Sequence, residues 1–359
     1  MRRSRKAVIL TVWVAATLVL LWLLTLLLVP KYNKGIVEGA MIAEYYDDNK
    51  PHEVLFIGDC EVYENISTVE LYREYGISSY IRGSAQQLIW QSYYLREDTL
   101  RYETPKVVFF NVLSLKYNEP QNEAYNRMSL DGMRWSPSKW NAVVASMTED
   151  EEMIDYIFPL LRFHSRWNEL TGDDVRYMFE GPRVTIDGYY MRCDVLAEKG
   201  FPKAPVLADY RLGENAMSYL TRMADLCEEN GITLVLMKAP TLYPYWYDEW
   251  DTQVREFAQE RGLEYFNFVD LREEVGLDME TDTYDAGLHL NIYGAEKLAD
   301  YIGQYLTDTY DLTDFRAVPE VARLWEEDVM TYDALRQAQM RELAEYGRLV
   351  SYGIEALEE

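Results

Sequence analysis

Val54-Leu-Phe-Ile-Gly58-Asp59-Cys60-Glu61 is the stretch of this chain that decides the fold. Four apolar residues lead into a glycine, an acid and a thiol, which is the pattern of a buried parallel strand that ends in a tight turn before a helix. Turns of this kind hold a nucleophile at the rim of a sheet. The stretch therefore predicts an α/β fold with Cys60 just past the carboxyl end of the first strand.

A second stretch supplies the partners that a thiol nucleophile needs. Asp282-Thr-Tyr-Asp285-Ala-Gly-Leu-His289-Leu-Asn291-Ile-Tyr-Gly294-Ala comes directly before an amphipathic helix, which Asn291 is expected to cap. An acid and a histidine beside a nucleophile form a catalytic triad. The two stretches together predict such a triad, although Cys60 also fits a structural role as a small residue that closes a turn.

Short apolar runs alternate with helical patterns along most of the chain. The predicted strands are Glu53–Ile57, Ser78–Ile81, Pro105–Leu113, Thr233–Met237 and Glu264–Phe268. The predicted helices between and after them are Val69–Tyr75, Ala85–Tyr102, Asn215–Asn230, Trp250–Arg261 and Gly294–Leu306. This alternation is typical of a three-layer, doubly wound, flavodoxin-like parallel sheet of five strands.

The N-terminus has the pattern of a membrane anchor. A basic cap over residues 1–6 precedes Ala7–Val29, 23 residues without a charge, which as a helix would span a hydrocarbon core of about 30 Å. A cleaved signal peptide is the alternative, but its apolar region is usually only about 7 to 15 residues long. The basic cap predicts a single pass through the cell membrane with a cytoplasmic N-terminus and an extracytoplasmic main domain.

The domain organisation follows from these elements. Residues 1–30 form the cap and anchor, 31–52 a stalk, 53–310 the α/β domain with an insertion at about 117–205, and 311–359 a helical extension. The insertion emerges at the carboxyl edge of the sheet, where such folds bind ligands, and is expected to cap the site. Pro319–Leu343 carries an apolar stripe that either packs on the domain or contacts a partner.

Composition narrows the class of protein. The 359 residues suffice for one sizeable domain with an insertion or for two small ones, and 14% aromatic residues argue against disorder. A net charge of −26 excludes nucleic acid as a partner, because phosphates would be repelled. Three cysteines and three scattered histidines show no zinc spacing, so no metal site is predicted, and Cys227 is expected in the core.

These stretches resemble blocks I and V of the SGNH (GDSL-like) hydrolase superfamily, with Gly58-Asp59-Cys60 where that family has Gly-Asp-Ser. The resemblance covers Glu53 to Leu306, with the middle third unmatched. It is strongest to the bacterial membrane-anchored, extracytoplasmic branch, which includes the D-alanyl-lipoteichoic acid biosynthesis protein and alginate O-acetylation proteins.

The resemblance implies roles for individual residues. Cys60 would be the nucleophile, His289 the base and Asp285 the orienting acid, although the family spaces acid and histidine one residue closer and Asp282 is a weaker substitute. Gly287 would absorb the extra residue. The start of a helix and a neighbouring imidazole would lower the pKa of the thiol from its usual value of about 8.5.

The resemblance also implies an oxyanion hole formed by Gly83 and Asn111, the latter standing otherwise as an ordinary polar residue at a strand end. Tyr245 and Trp246 lie past the fourth strand and suit sugar rings, although the same loop also suits rigid packing. Arg127 and Arg134 in the insertion are candidates for holding phosphate or carboxylate groups, with internal salt bridges as the alternative.

The expected function is O-acyl transfer, foremost O-acetyl transfer, or ester hydrolysis on a cell-envelope or exported glycan, without a metal or organic cofactor. The resemblance implies a multi-pass membrane-bound O-acyltransferase as partner. The alternative is a catalytically inactive SGNH-fold ectodomain that binds a glycan or that partner. A plain secreted esterase is disfavoured by the anchor.

Overall fold

Five parallel strands form the centre of the molecule, as described by a computed structural model of the chain. The structure describes residues 2–30, 41–179, 181, 183–198, 200, 203–243, 245–351 and 353–357, so residues 31–40 of the expected stalk lie outside it. The strands are β1 Val54–Gly58, β2 Ser79–Gly83, β3 Val107–Asn111, β4 Thr233–Lys238 and β5 Glu264–Asn267. Their order across the sheet is β2-β1-β3-β4-β5, which is the flavodoxin-like order.

The sheet is buried on both faces, as a parallel sheet must be when helices cover it. Every residue of β1, β2 and β3 is buried. Alternate side chains of β1 point to opposite layers: Phe56 packs with one helical layer, and Leu55 and Ile57 pack with the other. The predicted doubly wound α/β fold is confirmed.

Helices account for most of the remaining chain. The α-helices are α1 Arg2–Leu28, α2 Met41–Glu44, α3 Cys60–Tyr63, α4 Thr68–Tyr75, α5 Ile89–Thr99, α6 Glu123–Leu130, α7 Pro137–Ser146, α8 Met153–Ile157, α9 Leu160–Phe163, α10 Gly172–Arg176, α11 Glu214–Glu229, α12 Asp248–Arg261, α13 Arg272–Val275, α14 Ile292–Thr309 and α15 Pro319–Tyr346. Short 3₁₀ turns occupy Tyr45–Asp47, Val112–Lys116, His164–Asn168, Phe315–Ala317 and Ile354–Leu357. Helices α4, α14 and α15 cover one face of the sheet, and α5, α11 and α12 cover the other.

Helix α15 packs on its own domain. Trp325 is fully buried, stacks on Tyr72 at a centroid distance of 4.8 Å and donates from Nε1 to Ser78 Oγ at 3.0 Å. Tyr332 is also fully buried on the same helix. The apolar stripe read from the sequence is therefore used inside the molecule, and the extension completes the layer that covers β1 and β3.

The insertion at about 117–205 divides into two parts. Its helices α6 to α10 contact α1, α2, α5 and one another. The part that approaches the end of β1 is the irregular stretch 183–198, in which Tyr190 N donates to Tyr63 O and Leu196 N donates to Thr283 O. The helices of the insertion thus lie toward the N-terminal segment, and an extended stretch lies beside the Asp285–His289 loop.

Helix α1 stands apart from the sheet. Residues Arg5–Leu28 form a helix long and apolar enough to cross a membrane, with a mean hydropathy of 2.6 over its most apolar window. Apolar side chains along most of its length are exposed. Exposure of this kind is unfavourable in water and is ordinary in lipid.

Candidate active site

Cys60 begins α3 immediately after the turn that ends β1. The turn requires Gly58, since a Cβ there would lie 2.5 Å from Val62 Cγ2 and 2.9 Å from Asn111 Cβ. Asp59 Oδ1 accepts from Glu61 N at 3.2 Å and so caps the short helix. The strand, the tight turn and the cap place the thiol at the carboxyl edge of the sheet, where it is partly exposed.

His289 lies in the loop before α14 and is held by Asp285 through two hydrogen bonds. Asp285 Oδ2 lies 2.7 Å from His289 Nδ1, and Oδ1 accepts from the His289 backbone N at 2.7 Å. A carboxylate only accepts, so Nδ1 carries a proton. The other nitrogen, Nε2, is buried without a hydrogen-bond partner among the described residues. Asp282 instead pairs with Lys297 at 2.6 Å.

The loop geometry accounts for the extra residue between the acid and the histidine. Ala286 and Gly287 both have positive φ, 65° and 96°, and glycine adopts such values without strain. Thr283 Oγ1 accepts from Gly287 N and donates to His289 O, each at 2.7 Å. The loop therefore folds back tightly enough for one carboxylate to reach two N–H groups of His289.

Glu64 is a second acid beside His289 that the sequence did not reveal. Its Oε2 lies 3.8 Å from His289 Nδ1 and accepts a short hydrogen bond from the Tyr284 hydroxyl. The Tyr284 ring lies nearly parallel to the imidazole, with an interplanar angle of 14° and centroids 5.9 Å apart. Glu64 stands four residues after Cys60, a spacing that places two side chains on one helical face, and this was the available signal.

The charges around His289 favour its protonated form. Burial disfavours a charged imidazole, but Glu64, Cys60 and Asp285 outweigh it and raise the pKa of His289 well above its usual range. Burial also raises the pKa of Glu64, against the opposing charge of His289. Glu64 and Asp285 thus both favour a proton on the imidazole of His289.

The thiol of Cys60 does not have the lowered pKa expected from the sequence. Burial raises the pKa of Cys60 to about 11, and the nearby imidazole of His289 offsets only part of that rise. Asp59 and Glu64 add to it, because negative neighbours disfavour a thiolate. The expectation was wrong because desolvation by the fold outweighs the imidazole, and short helix α3 adds little.

A buried polar network lies beneath the turn. Lys238 Nζ donates to both oxygens of Glu61, each at 2.9 Å, and to Thr241 Oγ1 at 2.8 Å. Asn111 Nδ2 donates to Asp59 Oδ1 at 3.1 Å and to Glu61 Oε2 at 2.9 Å. Burial and the charge of Glu61 raise the pKa of Asp59 to about 6. Lys238 ends an apolar strand at its buried edge, which was the one sequence signal for this network.

This network bears directly on the expected oxyanion role of Asn111. An amide has two N–H hydrogens, and those of Asn111 are both engaged by Asp59 and Glu61. Its Oδ1 accepts from Ala239 N at 3.1 Å. In this arrangement Asn111 holds β3, β4 and the turn together and has no donor left for an oxyanion, so the donor role expected of it is not supported.

Gly83 ends β2 directly opposite Gly58. A Cβ at Gly83 would lie 3.0 Å from Gly58 O and 3.5 Å from Asp59 O. The two strand ends approach so closely that a larger residue would push the nucleophile turn away. The backbone of Gly83 thus lies next to Asp59, the residue that precedes Cys60. A backbone N–H that stabilises an oxyanion at Cys60 has to lie in this position.

The aromatic loop after β4 adjoins the His289 loop, since Leu242 N donates to Gly287 O at 2.9 Å. Within it, the rings of Tyr243 and Tyr245 meet edge to face at 5.9 Å, and the Tyr245 hydroxyl is buried without a hydrogen-bond partner among the described residues. Trp246 instead donates to Asp251 and packs on Trp250. Trp246 therefore contributes to packing, as the alternative for this loop proposed.

Both candidate arginines of the insertion make internal contacts. Arg127 pairs with Glu123 at 3.4 Å and Asp131 at 3.2 Å, and lies over the Tyr156 ring. Arg134 pairs with Asp47 at 3.4 Å, in the segment that precedes β1. These contacts correspond to the salt-bridge alternative, and they place Arg134 beside the opposite end of β1 from Cys60.

One group of metal-ligating side chains comes together elsewhere, although no metal site was expected. Ligand atoms of Asp48, His52 and Asp187 lie within 4.8 Å of one another. Lys50 Nζ lies among them, 2.7 Å from Asp187 and 3.1 Å from Asp48. The ammonium of Lys50 supplies the positive charge that a metal ion would otherwise bring, so the group reads as an ion-pair cluster.

Comparison with known proteins found similar solved structures. One is a proposed acylhydrolase from Bacteroides fragilis, with a TM-score of 0.36 and 11% identity, covering 74% of this chain and 94% of that one. Another is a GDSL-like lipase from Bacteroides thetaiotaomicron, with a TM-score of 0.36 and 12% identity, covering 76% and 100%. No family model and no curated protein matches. These identities and TM-scores are too low to indicate a function, so the function has to be inferred from the site.

Proposed function

We propose that the protein is a membrane-anchored, extracytoplasmic acyltransferase or esterase of the SGNH type that uses Cys60, His289 and Asp285. The observation that carries this proposal is the hydrogen bond of 2.7 Å between Asp285 and His289 Nδ1, which leaves Nε2 without a partner among the described residues. Cys60 and His289 each shift the pKa of the other, so the thiol lies close to that imidazole. Cys60 as nucleophile, His289 as base and Asp285 as orienting acid then correspond to the three members of a catalytic triad.

The chemistry runs in two halves. A neutral His289 takes the proton of the Cys60 thiol through Nε2, and the sulfur attacks the acyl carbonyl carbon. The carbon–sulfur bond forms as the carbonyl electrons move to oxygen; the resulting oxyanion then reforms the carbonyl, the bond to the leaving group breaks, and the leaving group takes the proton from His289. In the second half, His289 takes a proton from a glycan hydroxyl or water, whose oxygen displaces the sulfur. The acyl group leaves as an ester or an acid, and the proton returns to Cys60.

An oxyanion forms in both halves and needs donors in a fixed position. We assign one donor to the backbone at Gly83, which is packed against Gly58 and Asp59 next to Cys60. Because Asn111 is engaged by two carboxylates, we assign its role to support of the turn.

A glycan substrate is supported by the aromatic loop. Tyr243 is exposed, and Tyr245 directs a buried, unbonded hydroxyl within a loop that touches the His289 loop. Aromatic faces with a polar tip suit sugar rings, which have apolar faces and hydroxyl edges. We therefore propose a cell-envelope or exported glycan as the substrate and a membrane-bound O-acyltransferase as the partner, and the apolar helix α1 supports the anchoring.

A second candidate is an inactive ectodomain that binds a glycan or that partner. It is favoured by the rise in the pKa of Cys60 to about 11, since a thiol that keeps its proton is a poor nucleophile. The engaged amide of Asn111 favours it too. The two candidates differ in whether Cys60 ever carries an acyl group.

Trapping the acyl group tests the proposal. The full chain in detergent is incubated with p-nitrophenyl acetate, quenched in acid, and its Cys60 peptide is examined by mass spectrometry for an acetyl adduct. We expect the adduct in the wild type and in His164→Ala, a matched loss of an exposed histidine elsewhere, and little of it in His289→Ala. Absence of acetyl-Cys60 in the wild type, or an equal yield without His289, would establish the ectodomain candidate instead.

A further inference from the structure

A set of apolar side chains on the insertion faces outward and is left uncovered by the other described residues. Five large residues in 158–179 are each more than half exposed: Phe158, Leu161, Trp167, Val175 and Phe179. We call this set the outer apolar surface. Helix α9, the turn His164–Asn168 and α10, which carry three of its members, contain no buried residue. These three elements thus expose large apolar side chains and bury none. Contiguous apolar patches of this kind are rare on the surfaces of soluble proteins.

The outer apolar surface lies beside the end of α1. The Phe179 ring meets the Trp22 ring of α1 edge on, with centroids 6.5 Å apart. Arg166 Nη1 donates to Leu28 O at 2.7 Å and pairs with Asp174 at 2.9 Å. The carbonyls of a last helical turn lack partners within the helix, so Arg166 satisfies one of them and fixes the segment to the C-terminal end of α1.

The charge of this segment is compatible with a lipid surface. Although the whole chain has a net charge of −26, residues 158–179 hold three arginines and three acids: Arg162, Arg166, Arg176, Glu169, Asp173 and Asp174. The segment is therefore neutral in an acidic protein. A bilayer with anionic headgroups would repel most of this protein's surface and would not repel this part.

We propose that the outer apolar surface is immersed in the interface of the bilayer that α1 crosses, so that lipid is its occupant. The inference rests on the anchoring part of the proposed function. Aromatic side chains next to the end of a membrane span occupy the headgroup region, where their rings are sheltered and their polar atoms stay hydrated. Helices with apolar faces lie in the plane of that interface. The anchor and the insertion then form one membrane-binding unit.

This placement orients the candidate active site. Val29 and Pro30, at the end of α1, line a cavity together with Asp48 and Lys50, which precede β1. Cys60 follows the other end of β1. The membrane lies at the amino side of the sheet and the thiol at its carboxyl side, so Cys60 faces the aqueous space. An acceptor is then reached from outside the bilayer, as a polymer would be.

Site-specific probes test the immersion in the full chain. In a Cys60→Ser background, in which the remaining cysteines are buried, Leu161→Cys and Trp167→Cys are labelled with NBD and reconstituted in phosphatidylcholine nanodiscs. Matched nanodiscs contain a doxyl-labelled phosphatidylcholine, which quenches only probes near lipid. Leu18→Cys in α1 reports the anchor, and Met340→Cys, exposed on α15 beside Tyr293 at the start of α14, reports a site on the side of the His289 loop.

We expect loss of emission at positions 161, 167 and 18 and no loss at position 340. Quenching at 18 alone would overturn the immersion of the outer apolar surface and leave the anchor intact. Absence of quenching at 18 would overturn the anchor and the inference with it. Emission at 161 and 167 that is shielded from water but not quenched would show a protein partner in place of lipid, and would also overturn the proposal.

Discussion

The reactivity of Cys60 toward iodoacetamide should be low at neutral pH and should rise steeply with pH. Its pKa is raised from 9.0 to about 11 by burial, in spite of the opposing charge of His289. Two pKa units correspond to about 2.7 kcal/mol and to about a hundredfold less thiolate at neutral pH. Because only the thiolate reacts, alkylation of Cys60 in the folded chain should be about a hundredfold slower than in the unfolded chain.

The assay follows alkylation of each cysteine by mass spectrometry over a range of pH, in the folded chain and in guanidinium. Cys193 serves as an internal comparison, since burial raises its pKa to about 12 and the residue is buried, whereas Cys60 is partly exposed. The order of reactivity in the folded chain should be Cys60 before Cys193. In guanidinium the two should react alike.

The variant His289→Ala tests whether the imidazole acts on the Cys60 thiol. His289 lowers the pKa of Cys60 through its charge, so its loss should slow alkylation further, while His164→Ala should leave the rate unchanged. If folded Cys60 reacts at neutral pH as fast as in guanidinium, the desolvation argument is refuted. If His289→Ala leaves the rate unchanged, the imidazole does not act on the thiol and the catalytic proposal falls with it.

Two further predictions concern stability. Lys238→Met leaves the buried Glu61 without its ion-pair partner and should lower the free energy of unfolding by about 3 to 5 kcal/mol. The control Lys106→Met, which removes a partly exposed partner of Glu53, should lower it by less than about 1 kcal/mol. Equal losses of the two variants in urea denaturation would contradict this prediction. His52 is buried, yet its carboxylate neighbours raise its pKa from 6.5 to about 9, so its stabilisation is full below pH 6.5 and lost as pH rises through about 9. The melting temperature of the wild type should fall over that range more than that of His52→Gln; parallel curves would exclude the effect.

Most of the sheet was predictable because β1, β2 and β3 are buried on both faces, whereas the edge strand β5 is only partly buried. A strand covered on two sides appears in the sequence as a continuous apolar run, and each predicted run overlaps an observed strand, as Glu53–Ile57 overlaps Val54–Gly58. Features that depend on residues close together in the sequence were also predicted correctly. Asn291 Oδ1 accepts from Tyr293 N and Gly294 N and caps α14 as expected, and Cys227 is buried.

The surroundings of the candidate site were not predictable in the same way. Glu64 and Lys238 act through residues that come close only in the folded chain: Glu64 lies beside His289, and Lys238 lies beside Glu61. The raised pKa of Cys60 has the same origin, since it measures water removed by several segments at once. A pattern of residues indicates which groups meet at a sheet edge, but not how much solvent their neighbours exclude.

The insertion was the least predictable part, for a different reason. Its short helices α8, α9 and α10 have no continuous apolar face turned toward the sheet, so their sequence shows no period that a soluble core would impose. Apolar residues that face outward, such as Trp167 and Phe179, look irregular when water is assumed to be the solvent. The same residues form a consistent surface if lipid lies beside them.

The number of protons at the site limits how Cys60 can work. Burial raises the pKa of the thiol to about 11, and the charge of Glu64 favours a proton on the imidazole of His289. A base that is already protonated cannot accept the thiol proton, so the site must lose one proton before the sulfur attacks. Glu64 is placed to control this step, because its charge stabilises the imidazolium, and burial raises its own pKa.

A substrate that neutralises or displaces the charge of Glu64 would therefore activate the site, and one that leaves it in place would not.

The chemistry of sulfur also favours an activated acyl donor. A thioester is less stable than an oxygen ester, so transfer from acyl-Cys60 to a hydroxyl is downhill, whereas loading Cys60 from an ordinary ester is uphill. A site with a cysteine nucleophile is thus suited to an activated acyl donor and a hydroxyl acceptor, and the proton held near Glu64 would keep it idle until such a donor is bound.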